Sequence, residues 1–276
     1  MPQKGKFSKS ETGLFFLENN RVLSYKDEQI KKLTKTILLG EKQNAKLYIS
    51  KNNETFLYDK ALEKINIEGK RQILTEFDVP INLVASQKER IFISLKNSGI
   101  AEYNTKTGTQ TDHRKNRLLS RSLPMGASTF LLDKGTLWIG SDESGLYEVD
   151  ISDKNLPRVI QHHTYSKANP FSFSSGSVSC LIKHSGVLFV GTNGDGLFLY
   201  KGGSFTKLSG SDGMPSDNIV SLSISSDTTM WVLTNGGLAL VDWKNKNINT
   251  VSRQEGLDGF FKDGDALIPK GDGDVY

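Results

Sequence analysis

The sequence predicts an all-β fold, a β-propeller of about six to seven four-stranded blades, on three observations. First, one pattern is written twice. "LWIGSDESGLYEVD" at 137–150 and "LFVGTNGDGLFLYK" at 188–201 both read apolar–aromatic–apolar–Gly, then a polar turn, then Gly-Leu and an aromatic. Second, aromatic-centred anchors recur near Phe15, Tyr48, Phe92, Trp138, Phe189, Trp231 and Tyr276. Their steps are 33, 44, 46, 51, 42 and 45 residues, mostly close to the period of one propeller blade. Third, no segment sustains a 3.6-residue apolar period, so long helices and a helical domain are not expected.

The elements of one blade follow in order from residue 218. "NIVSLSIS" alternates Ile219, Leu222 and Ile224 as a first strand, and "SDTT" turns the chain. "MWVLT" is apolar on both faces, as suits a sheet held between two neighbours rather than one facing water. "NGG" is a tight reversal into "LALVDW", the third strand, and "NINTVSR" makes a more polar outer strand. One blade cannot bury both faces alone, whereas stacked neighbours can. The early repeats depart from this unit: Ser50 and Ser94 stand where Gly140 and Gly191 follow the later anchors.

Composition agrees with a globular chain. Of 276 residues, 36% are hydrophobic and 24% charged, which is too apolar for disorder, and 26 glycines suit many tight turns. Residues 1–72 carry 15 Lys/Arg against 9 Asp/Glu, while the remainder carries 20 against 22. The Lys-rich sector reads as a solvated surface, with an anion-attracting face as its sharper alternative. Cys180 has no second cysteine to pair with and reads as a buried structural thiol in "SVSCLI". The start, "MPQKGKFSKSETG", lacks the apolar run of a signal peptide, and no stretch reaches transmembrane length.

The blade signature resembles the two-component regulator propeller, the periplasmic sensor region of bacterial hybrid histidine kinases. Beyond the two quoted blades, the connectors "NPFSFSSGSVSCL" at 169–181 and "SDGMPSDNIVSL" at 211–222 are similar to the family's inter-blade pieces. So is the tail "EGLDGFFKDGDALIPKGDGDVY", which resembles the last blade of the family's second propeller. The resemblance spans most of the chain, and is strongest near Trp138 and Phe189. It implies one propeller domain over 1–276, an incomplete fragment of a larger membrane-anchored ectodomain. It further implies a periplasmic location, a glycan-derived ligand, a downstream kinase and homodimers formed through propeller faces. No cofactor, metal, nucleic acid or membrane contact is expected of this segment.

Catalysis needs a constellation of side chains, and the sequence offers none. His162 and His163 sit in "PRVIQHHTYSK", an outer strand whose adjacent side chains point opposite ways, and both are expected on a solvated edge. The "DGD" clusters at 263–265 and 272–274 lack the twelfth-position glutamate of a calcium loop and read as turns. "TNGDGLF" is not followed by a helix, so it does not read as a phosphate cradle. What remains is a polar rim, because connectors and second-to-third-strand turns gather on one face of a propeller. Asp142, Phe171, Asn193, Asp195, Asn218 and Asn235 are the candidate ligand-binding residues there. Amides and carboxylates would bond sugar hydroxyls, and Phe171 would offer an aromatic platform. The rival classes are a propeller lyase or glycosidase, which needs a cluster of His, Arg or paired carboxylates, and a protein-interaction scaffold.

Overall fold

The computed structural model describes residues 6–10, 13–18, 21–26, 29–32, 45–50, 52, 54–66, 68, 70–153, 157–169 and 171–251. Six four-stranded antiparallel sheets follow one another, each a meander of consecutive strands. They fall into two compact units, Met1–Gly126 and Ala127–Tyr276. The seventh anchor, Tyr276, and both Asp-Gly-Asp clusters lie outside the described residues.

The first unit holds three sheets. The strands are β1 (Lys6–Ser10), β2 (Gly13–Glu18), β3 (Arg21–Lys26) and β4 (Gln29–Lys32). Next come β5 (Lys46–Ile49), β6 (Thr55–Tyr58), β7 (Ala61–Ile65) and β8 (Arg71–Glu76). The third sheet is β9 (Ile81–Gln87), β10 (Arg90–Leu95), β11 (Gly99–Asn104) and β12 (Thr109–Asp112), followed by a one-turn 3₁₀ segment and a short helix, α1 (Arg117–Ser122). Phe15 and Phe92 lie on second strands. Tyr48 does not: it lies on β5, a first strand, and Phe56 on β6 takes the equivalent place. "AKLYIS" has the aromatic spacing of an anchor, but it is the following four-residue β6 that is the second strand, buried at every position. Short strands with no following glycine leave little signal for choosing between two adjacent aromatics.

The second unit repeats the meander three times. The strands are β13 (Thr129–Asp133), β14 (Thr136–Gly140), β15 (Leu146–Asp150), β16 (Arg158–His163), β17 (Val178–His184) and β18 (Val187–Thr192). They continue as β19 (Leu197–Lys201), β20 (Ser204–Leu208), β21 (Ile219–Ile224), β22 (Thr229–Thr234), β23 (Gly237–Asp242) and β24 (Asn247–Val251). Trp138, Phe189 and Trp231 occupy matching places, opposite Glu148, Leu199 and Leu240 on the third strands.

The middle sheet of this unit shows why its second strand is apolar on both faces. All six residues of β18 are buried. Leu188 and Val190 pack with Trp138 and Val178 on one side, while Phe189 packs with Met230, Val232 and Val241 on the other. Fully burying side chains of this size contributes about 1.5–3 kcal/mol each, so sheet-on-sheet stacking carries most of the fold's stability. The glycine after the anchor permits the approach. A Cβ at Gly140 would meet Val178 Cγ1 at 2.5 Å, and one at Gly191 would meet Cys180 Sγ at 2.5 Å and Ile219 Cγ2 at 2.8 Å. Sequence repetition here records a steric requirement between neighbouring sheets.

Candidate functional site

At one end of the second unit, the turns between second and third strands meet the connectors that enter the next sheet. In the first sheet the turn at 141–145 is tied to the connector by Gly145 N–H donating to the Gly176 carbonyl (2.8 Å) and Val178 N–H to the Ser141 carbonyl (2.8 Å). The next turn, 192–196, is held on both sides. Asn193 N–H donates to the Ser177 carbonyl (3.2 Å), and Gly196 N–H donates to the Asp217 carbonyl (2.8 Å). In the last turn, Asn235 N–H donates to the Asn218 carbonyl (3.1 Å). Buried hydroxyls close these turns from within. Thr192 Oγ1 donates to the Gly196 carbonyl at 2.7 Å and Thr234 Oγ1 to the Gly237 carbonyl at 2.8 Å, while Ser141 Oγ accepts from Ser144 N–H at 3.3 Å. Ser141, Thr192 and Thr234 each follow their second strand's apolar core, a repeated hydroxyl that the sequence displays in plain register.

The candidate residues divide into two places. Asn193 and Asn218 form an isolated β-bridge, Asn193 Nδ2 donates to Ser177 Oγ (3.2 Å), and Asn235 joins through its backbone. Asp142 is exposed on the 141–145 turn, which Val178 N–H ties to the same connector through the Ser141 carbonyl. Asp195 and Phe171 lie elsewhere. Asp195 turns to the outer strand, where its carboxylate is 3.8 Å from Lys207 Nζ. Phe171, 60% exposed, receives Phe205 N–H on its carbonyl at 3.0 Å and so flanks β20. An inner row of amides and an outer aromatic flank replace the single rim read from sequence. Connector length decides this: the segment between β16 and β17 is long enough to fold back against β20.

His163 corrects a second expectation. Only its neighbour is solvated: His162 is exposed, stacks on Tyr147 with ring centroids 3.9 Å apart, and Nε2 lies 2.6 Å from the Ser144 carbonyl. The His163 side chain is 10% exposed and packs against Trp138, Tyr200 and Phe205. Burial, with His162 adding to it, pushes the His163 imidazole down to about 4. Glu148 lies 3.7 Å away, and burial raises its carboxyl while Lys183 draws it back. Alternation along an outer strand sends one side chain to water and the next between two sheets.

The first unit has its own polar cluster. Arg90 holds Glu102 bidentately (2.6 and 2.8 Å), with both side chains more than nine-tenths buried, and His113 Nε2 is 3.7 Å from the same carboxylate. Burial alone would raise Glu102, but Arg90 and His113 outweigh it and hold its carboxyl below the usual range. Nearby, Arg114 bonds Asp112 twice, Asp78 and Ser98 beside a cavity of about 240 Å³. Those guanidinium donors are taken up in fixing the link after β12. Among the described residues, no group of three His, Cys, Asp or Glu side chains could hold a metal ion.

No protein-family model matches the chain, and the curated proteins give no match. Solved structures do. The extracellular domain of BT4673 from B. thetaiotaomicron, described as a one component system, superimposes with a TM-score of 0.67 at 17% identity, covering 99% of this chain. That of BT3049 from the same organism, described as a hybrid two component system, gives 0.63 at 18% over 98%. The WD40 propeller domain of Doa1 gives 0.60 at 8% over 95%. The chain is thus an all-β propeller in fold class. Its structural neighbours include extracellular domains described as parts of one- and two-component systems, and at these identities the likeness is one of fold. The chain spans 37% and 39% of the two B. thetaiotaomicron structures. Among the described residues no helix is long and apolar enough to cross a membrane.

Proposed function

We propose that the chain is a non-catalytic, periplasmic sensor module of a hybrid two-component signalling protein. It binds a glycan-derived ligand and passes that event to a downstream kinase carried elsewhere in a membrane-anchored parent. The observation that carries this reading is the fold shared along nearly the whole chain with extracellular domains described as signalling systems, together with blade motifs of the same kind. The amide row of Asn193, Asn218 and Asn235, with Asp142 on a turn tied to the same connector, suits a polyhydroxylated ligand. Side-chain amides both donate and accept, as sugar hydroxyls do. A non-catalytic role accords with the histidines: His163 is packed among rings and His162 is stacked on Tyr147.

Calorimetric titration of the purified chain with a panel of oligosaccharides tests the proposal. One glycan class is expected to bind saturably, and Asn193→Ala or Asn218→Ala to weaken it. Each lost neutral hydrogen bond costs about 0.5–1.5 kcal/mol, a factor of about two to ten in affinity. His162→Ala, on the outer strand, should leave affinity unchanged. Unaltered binding by both asparagine variants would remove the amide row from the account.

A further inference from the structure

Five large apolar side chains are exposed among the described residues, and two of them, Tyr165 (64%) and Phe171 (60%), line one cavity. It lies on the outer flank of the second unit, between the segment that follows β16 and the outer strand β20. Its volume is about 230 Å³. That falls below the roughly 300–1,000 Å³ of a drug-sized site, so the space suits a single ring rather than a chain of them. The buried rings of Phe198 and Phe205 form its floor, and Ser172, Ser174, Thr206 and Lys207 complete the lining.

Lys207 gives the cavity its chemical sign. Its ammonium sits 5.7 Å from the centre of the Phe198 ring, and its carboxylate partner, Asp195, is 3.8 Å away with both side chains about two-fifths exposed. An ion pair that loose and wet holds its cation weakly, so a ligand carboxylate can take Asp195's place. Hydroxyl groups at Ser174 and Thr206 add positions that bond a ligand rich in hydroxyls, which a plain aromatic acid would leave unused. A pyranose presents an apolar C–H face to an aromatic ring and hydroxyls along its edge.

We propose that this cavity is a second saccharide site, distinct from the amide row, and that it takes one uronic acid unit, its ring on Phe171 and Tyr165 and its carboxylate on Lys207. The proposal rests on the reading of the chain as a glycan-binding sensor and adds to it a place and a charge.

The test titrates the whole chain with methyl β-D-glucuronide, methyl β-D-glucoside and 4-hydroxybenzoate. The glucuronide should bind about tenfold or more tighter than the glucoside, as a charge-assisted contact requires. Lys207→Gln should erase that preference, Phe171→Ala should weaken both sugars, and Asp195→Asn should tighten the glucuronide by freeing Lys207. His162→Ala, outside both sites, should change none of this. Equal affinity for the two sugars, or a glucuronide affinity indifferent to Lys207→Gln and Phe171→Ala, overturns the proposal. So does binding of 4-hydroxybenzoate without the glucuronide. Neutral oligosaccharide binding that depends on Asn218 while the glucuronide fails to bind overturns this site alone. Failure of every glycan to bind overturns the sensor reading with it.

Discussion

His163 shows how much one position can depend on the alternation of an outer strand. Its imidazole stays neutral inside the stack of Trp138, Tyr200 and Phe205, with its pKa pushed down to about 4 from an unfolded value near 6.5. A group depressed in the folded state binds protons more readily once unfolded. Stability from this group is therefore complete above about pH 6.5 and is lost as the pH falls toward 4, by on the order of 2–3 kcal/mol. Glu148, raised by burial, acts in the opposite sense and blunts the loss at the acid end. Thermal melts between pH 7 and pH 4 should fall more steeply for the native chain than for His163→Gln, whose side chain does not titrate. Parallel melting curves for the two would show that His163 is not buried neutral. Sequence places this residue on the right strand but not on its inner face. Two adjacent histidines look alike until the neighbouring sheet supplies Tyr200 and Phe205.

At the scale of the blade, the glycine following the aromatic anchor decides how close two sheets come. Gly191 sits where a Cβ would press on Cys180 Sγ and Ile219 Cγ2. Gly191→Ala should destabilise the chain by about 1–3 kcal/mol through overpacking, read as a lowered denaturant midpoint. The double change Gly191→Ala with Cys180→Ala, which removes the Sγ that the new methyl would meet at 2.5 Å, should recover part of the loss. An unchanged midpoint in Gly191→Ala would mean that the sheets are not held at this spacing. The strong repeats were legible because this steric need writes Gly140 and Gly191 into the sequence beside Trp138 and Phe189. The repeat near Tyr48 was legible by spacing but its second strand was not, because Ser50 leaves no such mark and the buried β6 is only four residues long. The turns at 141–145 and 192–196 were legible as polar loops. Their hydroxyl closures by Ser141, Thr192 and Thr234 were legible only as a repeated position, with no chemistry attached until the carbonyl partners were seen. The division of the candidate residues between an amide row and an aromatic flank was not legible at all, since it depends on the path of the connector after β16.

For the whole molecule, a fold shared with enzymes, sensors and scaffolds leaves function to be argued from sites. The sites described here are an amide row closed by backbone bonds and an aromatic cavity beside Lys207. The first offers hydrogen bonds and the second adds stacking, and among the described residues neither brings together an acid, a base and a nucleophile. The account's central claim is recognition of a glycan without its conversion. Equilibrium dialysis of the purified chain against a mixed oligosaccharide panel, with mass spectrometry of both compartments, tests it most directly. The account predicts enrichment of one glycan class on the protein side, every mass unchanged. New masses, or equal partition of every sugar, would contradict it.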